Sequence, residues 1–175
     1  MRLIKAFLVG ITGLFIIITL LSLLIPSHVK VSRTIVINNT SKEKIFAQVI
    51  NLKNWKNWHP LFASDSAVVN VANTAGGENE SCDIIYKNKT VHLQITKTDT
   101  AFIAFIVQAK GENDISNQIN FYPLTELNQT RVDWNATTHL KWYPWEKFYA
   151  IFIDKLTGPG YEMALNGLKQ FTERK

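Results

Sequence analysis

The chain has 175 residues, a formal net charge of +5 and one cysteine. That is enough for one domain with a sizeable core, and it excludes an intramolecular disulfide or a cysteine-based zinc cluster. All acidic residues lie beyond the first 28 positions, so without Arg2 and Lys5 the excess falls to +3 with no run of like charges; that balance does not describe a nucleic-acid surface, and no nucleic-acid partner is expected.

From Ala6 to Ile25 twenty residues pass without a charge, and 14 of them are Leu, Ile, Phe or Val. As a helix at about 1.5 Å per residue this run spans about 30 Å, the thickness of a bilayer's hydrocarbon core. Thr12, Thr19 and Ser22 are its only polar side chains, whereas a helix on the surface of a soluble core carries a polar stripe. The run exceeds the apolar region of a cleaved signal peptide, and no small-x-small site precedes Pro26. Residues 1–28 are therefore expected to be a retained single-pass anchor. Lys30 and Arg33 follow the run as Arg2 and Lys5 precede it; a short basic N-terminus ahead of a large domain favours an extracytoplasmic placement of residues 29–175, on the periplasmic side of a bacterial inner membrane.

Residues 28–38 alternate, with Val29, Val31, Ile35 and Ile37 on one face of a first strand. Asn39-Thr40-Ser41 offers N-cap chemistry, and Ile45, Phe46, Val49 and Ile50 then recur at helical spacing. In the following Asn-Leu-Lys-Asn-Trp-Lys-Asn-Trp-His-Pro segment, Trp55 and Trp58 fall on one side of a turn that Pro60 ends. Period-two strands are predicted at 67–73, 82–88, 90–98, 101–110, 113–122 and 129–141, separated by short connections such as Thr74-Ala75-Gly76-Gly77. Loops this short pair consecutive strands as an antiparallel meander. Its inner face is expected to carry Leu93, Ile95, Ile103, Phe105, Ile119, Phe121, Val132, Trp134 and Ala136, while Gln94, Gln108, Gln118, Arg131 and Asp133 point away. The aromatic-dense Trp142-Tyr143-Pro144-Trp145 leads into a helix from about Glu146 to Leu156; Gly158-Pro159-Gly160 is expected to end it and to start another helix, striped with Tyr161, Ala164, Leu165, Leu168 and Phe171.

This order, with the Asn51–Pro60 segment, the Arg33-Thr34-Ile35-Val36-Ile37 strand and the terminal stretch from Gly158 to Lys169, resembles the SRPBCC superfamily, the START-like group of polyketide cyclases/dehydrases and lipid transport proteins, and most of all its bacterial subgroup with one N-terminal membrane helix. The resemblance covers roughly residues 29–173. It implies an α+β helix-grip fold, in which an antiparallel sheet curls around a long C-terminal helix and leaves an elongated cavity between them.

No catalytic constellation is visible. His28, His59, His92 and His139 lack metal-ligand spacing, and there is no nucleophile elbow, phosphate loop or paired-carboxylate motif; no catalytic residue, metal ligand or cofactor is assigned. Candidate ligand contacts follow from position. His59 sits near the implied cavity mouth or is a surface residue of a turn. Trp55 and Trp58 stack on a ligand or fill the core. Phe105 lies on the inner face, as do Asn117, Thr138 and the Trp134 indole, whose polar groups each need a partner, either a ligand or a neighbouring protein group. Trp145 belongs to the aromatic cluster of Trp142, Tyr143, Phe148, Tyr149 and Phe152, expected to form a lid or to face the membrane unless it is buried against the sheet. The leading expectation is a membrane-tethered module that binds a hydrophobic small molecule or lipid. A cyclase- or aromatase-like enzyme and a ligand-free envelope scaffold are the alternatives.

Overall fold

The computed structural model describes residues 2–72 and 76–174; the end of the predicted strand 67–73, and Thr74 and Ala75 of the connection after it, lie outside the described residues. Helix α1 runs Arg2–Ser22 and is long and apolar enough to cross a membrane. A last turn, with the Leu23, Leu24 and Ile25 amides bonded back to the Thr19–Ser22 carbonyls, hands the chain to β1 (His28–Asn38). Helix α2 (Lys42–Val49) starts on the predicted cap, the Ser41 hydroxyl accepting from the Lys44 amide, and a 3-10 turn occupies Leu52–Asn57. Strands β2 (Ala67–Ala72), β3 (Ser81–Tyr86), β4 (Lys89–Asp99), β5 (Phe102–Ala109), β6 (Ile115–Leu124) and β7 (Gln129–His139) follow, then α3 (Pro144–Glu173).

The seven strands form one sheet in the order β1-β7-β6-β5-β4-β3-β2, antiparallel at every step. The predicted meander is therefore present, with β1 added beside β7. The β3–β4 turn is Lys87-Asn88, one residue earlier than the alternation suggests. Both residues take positive φ, as the tight hairpin that matches strand twist requires. A register shift between Ile95 and Lys97 in β4 is the other interruption of the period-two pattern.

On the concave side α2 and the 3-10 turn cover the middle of the sheet. Ile45, Val49, Leu52, Trp55 and Trp58 join Ile95, Ile103, Phe105, Ile119, Phe121, Val132 and Trp134 in one buried cluster that Ala164, Leu165 and Leu168 close from α3. The two indoles hang from α2, Trp55 Nε1 donating to the Val49 carbonyl at 2.8 Å and Trp58 Nε1 to the Gln48 carbonyl at 3.2 Å. Cys82 is buried among them, and burial pushes its thiol up to about 12, so it serves as a small apolar residue.

The expected break at Gly158-Pro159-Gly160 does not occur: α3 is one helix of 30 residues with Pro159 inside it. A proline there removes one amide and crowds the preceding turn, but contacts to β1 hold the helix on both sides. Arg33 forks onto Asp154 with donor–acceptor distances of 2.8 and 3.2 Å; Lys169 donates to the Val36 carbonyl at 2.8 Å, and Glu173 accepts from the Asn38 amide at 2.6 Å. The glycines also serve packing. A side chain at Gly158 would run into the Arg33 guanidinium, and one at Gly167 into the Trp58 carbonyl. Tertiary contact overrides the local breaker.

Candidate functional site

The C-terminal half of α3 packs closely onto the sheet, and the N-terminal half meets it through Ala150 and Ile153, which pack with Val31 and Leu140. Beside that contact, between the helix and the sheet, is a cleft of about 370 Å³. Its floor comes from the inward positions of three neighbouring strands, Val31 on β1, Ala136 and Thr138 on β7 and Ile115 on β6; its roof is a row of α3 residues at four-residue spacing, Tyr149, Ile153, Thr157 and Tyr161; its rim is the β5–β6 turn with Glu112 and Asn113, facing Glu146. Thr157 and Tyr161 also line a neighbouring hollow of about 480 Å³, walled by His59, Pro60, Leu61, Tyr86, Gly160 and Met163.

Trp134 joins the cleft to the core. Its ring lies 5.2 Å from Tyr161, 5.9 Å from Phe105 and 6.1 Å from both Trp55 and His59, centre to centre. Its indole donates to Asn117 Oδ1 at 3.0 Å, and Asn117 Nδ2 donates to the Ile115 carbonyl at 3.0 Å. Two of the three inward polar groups whose partners the sequence left open, Asn117 and the Trp134 indole, thus satisfy each other.

His59 is half-buried and stacks on Trp55 at 5.4 Å. Burial pulls its imidazole down to about 4, so it is neutral at pH 7. Nδ1 accepts from the Leu61 amide at 3.3 Å, which leaves the Nε2 proton as a neutral donor. Burial raises the Tyr161 phenol, which keeps its proton. At the rim, burial works to raise the Glu146 carboxyl; hydrogen bonds from Asn113 and the Lys141 amide, with the Lys141 charge, outweigh it and hold the group below the usual carboxylate range. Glu112 pairs with Lys89 at 2.6 Å. Among the described residues, the ionisable side chains around the cleft and the neighbouring hollow are thus two carboxylates, a neutral imidazole and phenols, with no lysine or arginine in either lining.

Among the predicted contacts, Thr138 lines the cleft and His59 the neighbouring hollow, while Trp134 and Phe105 stand behind Tyr161 in the aromatic stack. Trp55 and Trp58 are almost fully buried in the core, at 1% and 4% exposure. Trp145 is not brought to the cleft; it is 63% exposed on the outer face of α3 and stacks on Tyr143 at 5.0 Å. Of the roof residues, the sequence offers Tyr149 only within the aromatic cluster expected to form a lid or to face the membrane and Tyr161 only within the stripe of the last helix, and it does not single out Ile153 or Thr157. Their common row is visible only on an unbroken helix, and the Gly-Pro-Gly reading cut it between Thr157 and Tyr161.

No protein-family model and no curated protein matches the chain. Solved structures do. The ZhuI aromatase/cyclase of Streptomyces sp. R1128 is 12% identical with a TM-score of 0.64, covering 84% of this chain and 94% of that one. A START superfamily protein of Mycobacterium smegmatis is 16% identical with a TM-score of 0.60, covering 83% and 97%. A hypothetical protein of Helicobacter pylori is 10% identical with a TM-score of 0.63, covering 82% and 88%. With a seven-stranded antiparallel sheet, a long C-terminal helix closing its concave side and a cleft between them, the chain has the START-like, helix-grip fold.

Proposed function

We propose that the protein is a membrane-tethered binding module: α1 is a retained anchor, and residues 29–175 take up an uncharged, largely apolar small molecule in the cleft beneath α3. The observation that carries this reading is the cleft itself. Its 370 Å³ fall at the small end of the roughly 300–1,000 Å³ of small-molecule sites, which favours one chain or a few fused rings over a two-chain phospholipid. Val31, Ile115, Ala136, Leu140 and Ile153 supply apolar contact, while the Thr138 and Tyr161 hydroxyls are available to orient a carbonyl or hydroxyl. With Glu112 and Glu146 at the rim and no cation in the lining among the described residues, a fatty-acid or phosphate head buried there would lack a charged partner, at a cost of several kcal/mol.

The test is native mass spectrometry with solvent extraction of the full-length protein from its own membrane, beside Ala136→Phe, which fills the cleft from its floor. A stoichiometric apolar adduct carried by the wild type and missing from the variant supports the reading; a wild type and a variant with the same lipid background sink it. Cyclase-like chemistry is the second reading, favoured by one observation: the neutral His59 and the protonated Tyr161 line the same hollow, which would give a reacting carbonyl two proton donors.

A further inference from the structure

From Trp145 to Met163 the outer face of α3 carries Trp145, Tyr149, Phe152, Leu156 and Met163 in one stripe, with Phe148 and Ile151 beside it; Trp145 is 63% exposed and Phe152 55%. The buried face of the same helix is also apolar, at Ala150, Ile153, Ala164, Leu165 and Leu168. An amphipathic helix on a soluble domain needs only the second stripe. The charged residues along this half are mostly turned to the domain: Glu146 accepts from Asn113 and the Lys141 amide, buried Lys147 donates to the Ile25 carbonyl at 3.1 Å and to Ser27 Oγ at 2.6 Å, and Asp154 holds Arg33. Exposed charge beside the stripe is thereby Lys141 and Lys155, with Glu162 on the flank of Lys155 and Asp154 exposed but paired to Arg33.

Lys147 also fixes where this face lies. Its ammonium grips the residues that follow α1, and the Leu140 amide bonds the Ser27 carbonyl at 2.7 Å, so no free spacer separates the end of α1 from the first turn of α3. The end of apolar α1 is thereby held beside the first turns of α3, where the outer stripe begins.

The geometry points to a second membrane contact: the outer face of α3 between Trp142 and Met163 lies in the interface of the bilayer that α1 spans, with Trp142, Trp145 and Tyr149 at headgroup depth and Lys141 and Lys155 toward anionic headgroups. Tryptophan and tyrosine are the residues of that layer, and an amphipathic helix lying in it buries its apolar face about 5–10 Å deep with lysines alongside. Tyr149 is in both the stripe and the cleft roof, so the cleft opens toward lipid. This contact rests on the anchor reading and is independent of whether the cleft holds a ligand.

The chain is suited to a direct test. Of its five tryptophans, Trp55, Trp58 and Trp134 are buried in the core, Trp142 and Trp145 are exposed, and α1 has none. The full-length protein is reconstituted into vesicles of phosphatidylcholine and phosphatidylglycerol with brominated acyl chains, and tryptophan emission is compared with that in unbrominated vesicles. Quenching that disappears in the Trp142→Phe/Trp145→Phe double variant is the expected result, and it persists in Ala136→Phe, where the cleft is filled. Emission that brominated lipid leaves unchanged while aqueous iodide quenches it overturns the proposal. So does shielding from both quenchers with two copies cross-linked through α3, which would make the face a dimer contact. In either case flotation of the protein with the vesicles would leave the anchor reading standing.

Discussion

Past Gly160, α3 buries Ala164, Leu165 and Leu168 at 1% exposure or less against the sheet, whereas between Pro144 and Leu156 the same helix leaves Trp145, Tyr149, Ile151, Phe152 and Leu156 each more than half exposed. One element thus serves two purposes. The far half closes a core filled by the indoles of the 3-10 turn; the near half roofs a cleft and turns an apolar face outward. Both halves carry large apolar side chains, so their mere presence does not separate them. What differs is what stands opposite: the far half closes the large core that α2 and the 3-10 turn fill, whereas the near half meets only a small cluster, Ala150 and Ile153 with Val31 and Leu140, beside the cleft. A contiguous exposed apolar face of this kind, unlike singly exposed residues, is the mark of an interaction surface.

Exchanging a tryptophan for alanine in each half gives the largest contrast. Trp55→Ala removes a 1%-exposed ring and its bond to the Val49 carbonyl, and is expected to cost about 3–5 kcal/mol by chemical denaturation. Trp145→Ala is expected to move stability by less than about 0.5 kcal/mol. Equal losses would mean that the near half is as much part of the core as the far half.

The sequence carried most of the architecture because strand pairing depends on signals it displays openly, namely alternation and short turns. Strand boundaries fall within a few residues of expectation, and the inner face holds the expected side chains from Leu93 to Ala136. The cleft was less legible. Thr138 and His59 were found by face and position, but the row Tyr149-Ile153-Thr157-Tyr161 was hidden because Pro159 signals a stop locally, and the contacts that override it join residues more than a hundred positions apart, as Arg33 and Asp154 do. Lys147 was equally invisible: nothing in the sequence distinguishes it from a surface lysine, since its partners are the Ile25 carbonyl and the Ser27 hydroxyl.

His59 stands where the two halves meet, and acid should loosen the molecule there. Its unfolded imidazole titrates near 6.5 and the folded one at about 4, so as pH falls the unfolded chain takes up the proton first. Stability that is full above pH 6.5 is lost on the way down to 4, by about 2 kcal/mol between pH 7 and pH 5. Urea denaturation at the two pH values should show this loss in the wild type and not in His59→Gln. Glu80 slopes the other way. Fully buried, it accepts from the Leu52 amide and burial raises its carboxyl, so its contribution is present below the ordinary carboxylate range and declines as pH rises; Glu80→Gln removes that decline. A wild type whose stability does not change between pH 7 and pH 5, while Glu80→Gln gains nothing at pH 7, would mean that neither group is shielded as described.

Two glycines of α3 give the smallest effect and the finest comparison. A methyl group at Gly167 would meet the backbone carbonyl of Trp58, while at Gly160 it would meet nothing. Gly167→Ala should therefore force the far half of α3 away from the 3-10 turn and cost about 1–3 kcal/mol. Gly160→Ala relieves the chain of a flexible residue in a helix and should stabilise it by up to about 1 kcal/mol. Thermal unfolding followed by circular dichroism resolves the opposite signs. If both substitutions destabilise, the chain around Gly160 is packed as tightly as that around Gly167, and the open space beside Gly160 is not there in solution.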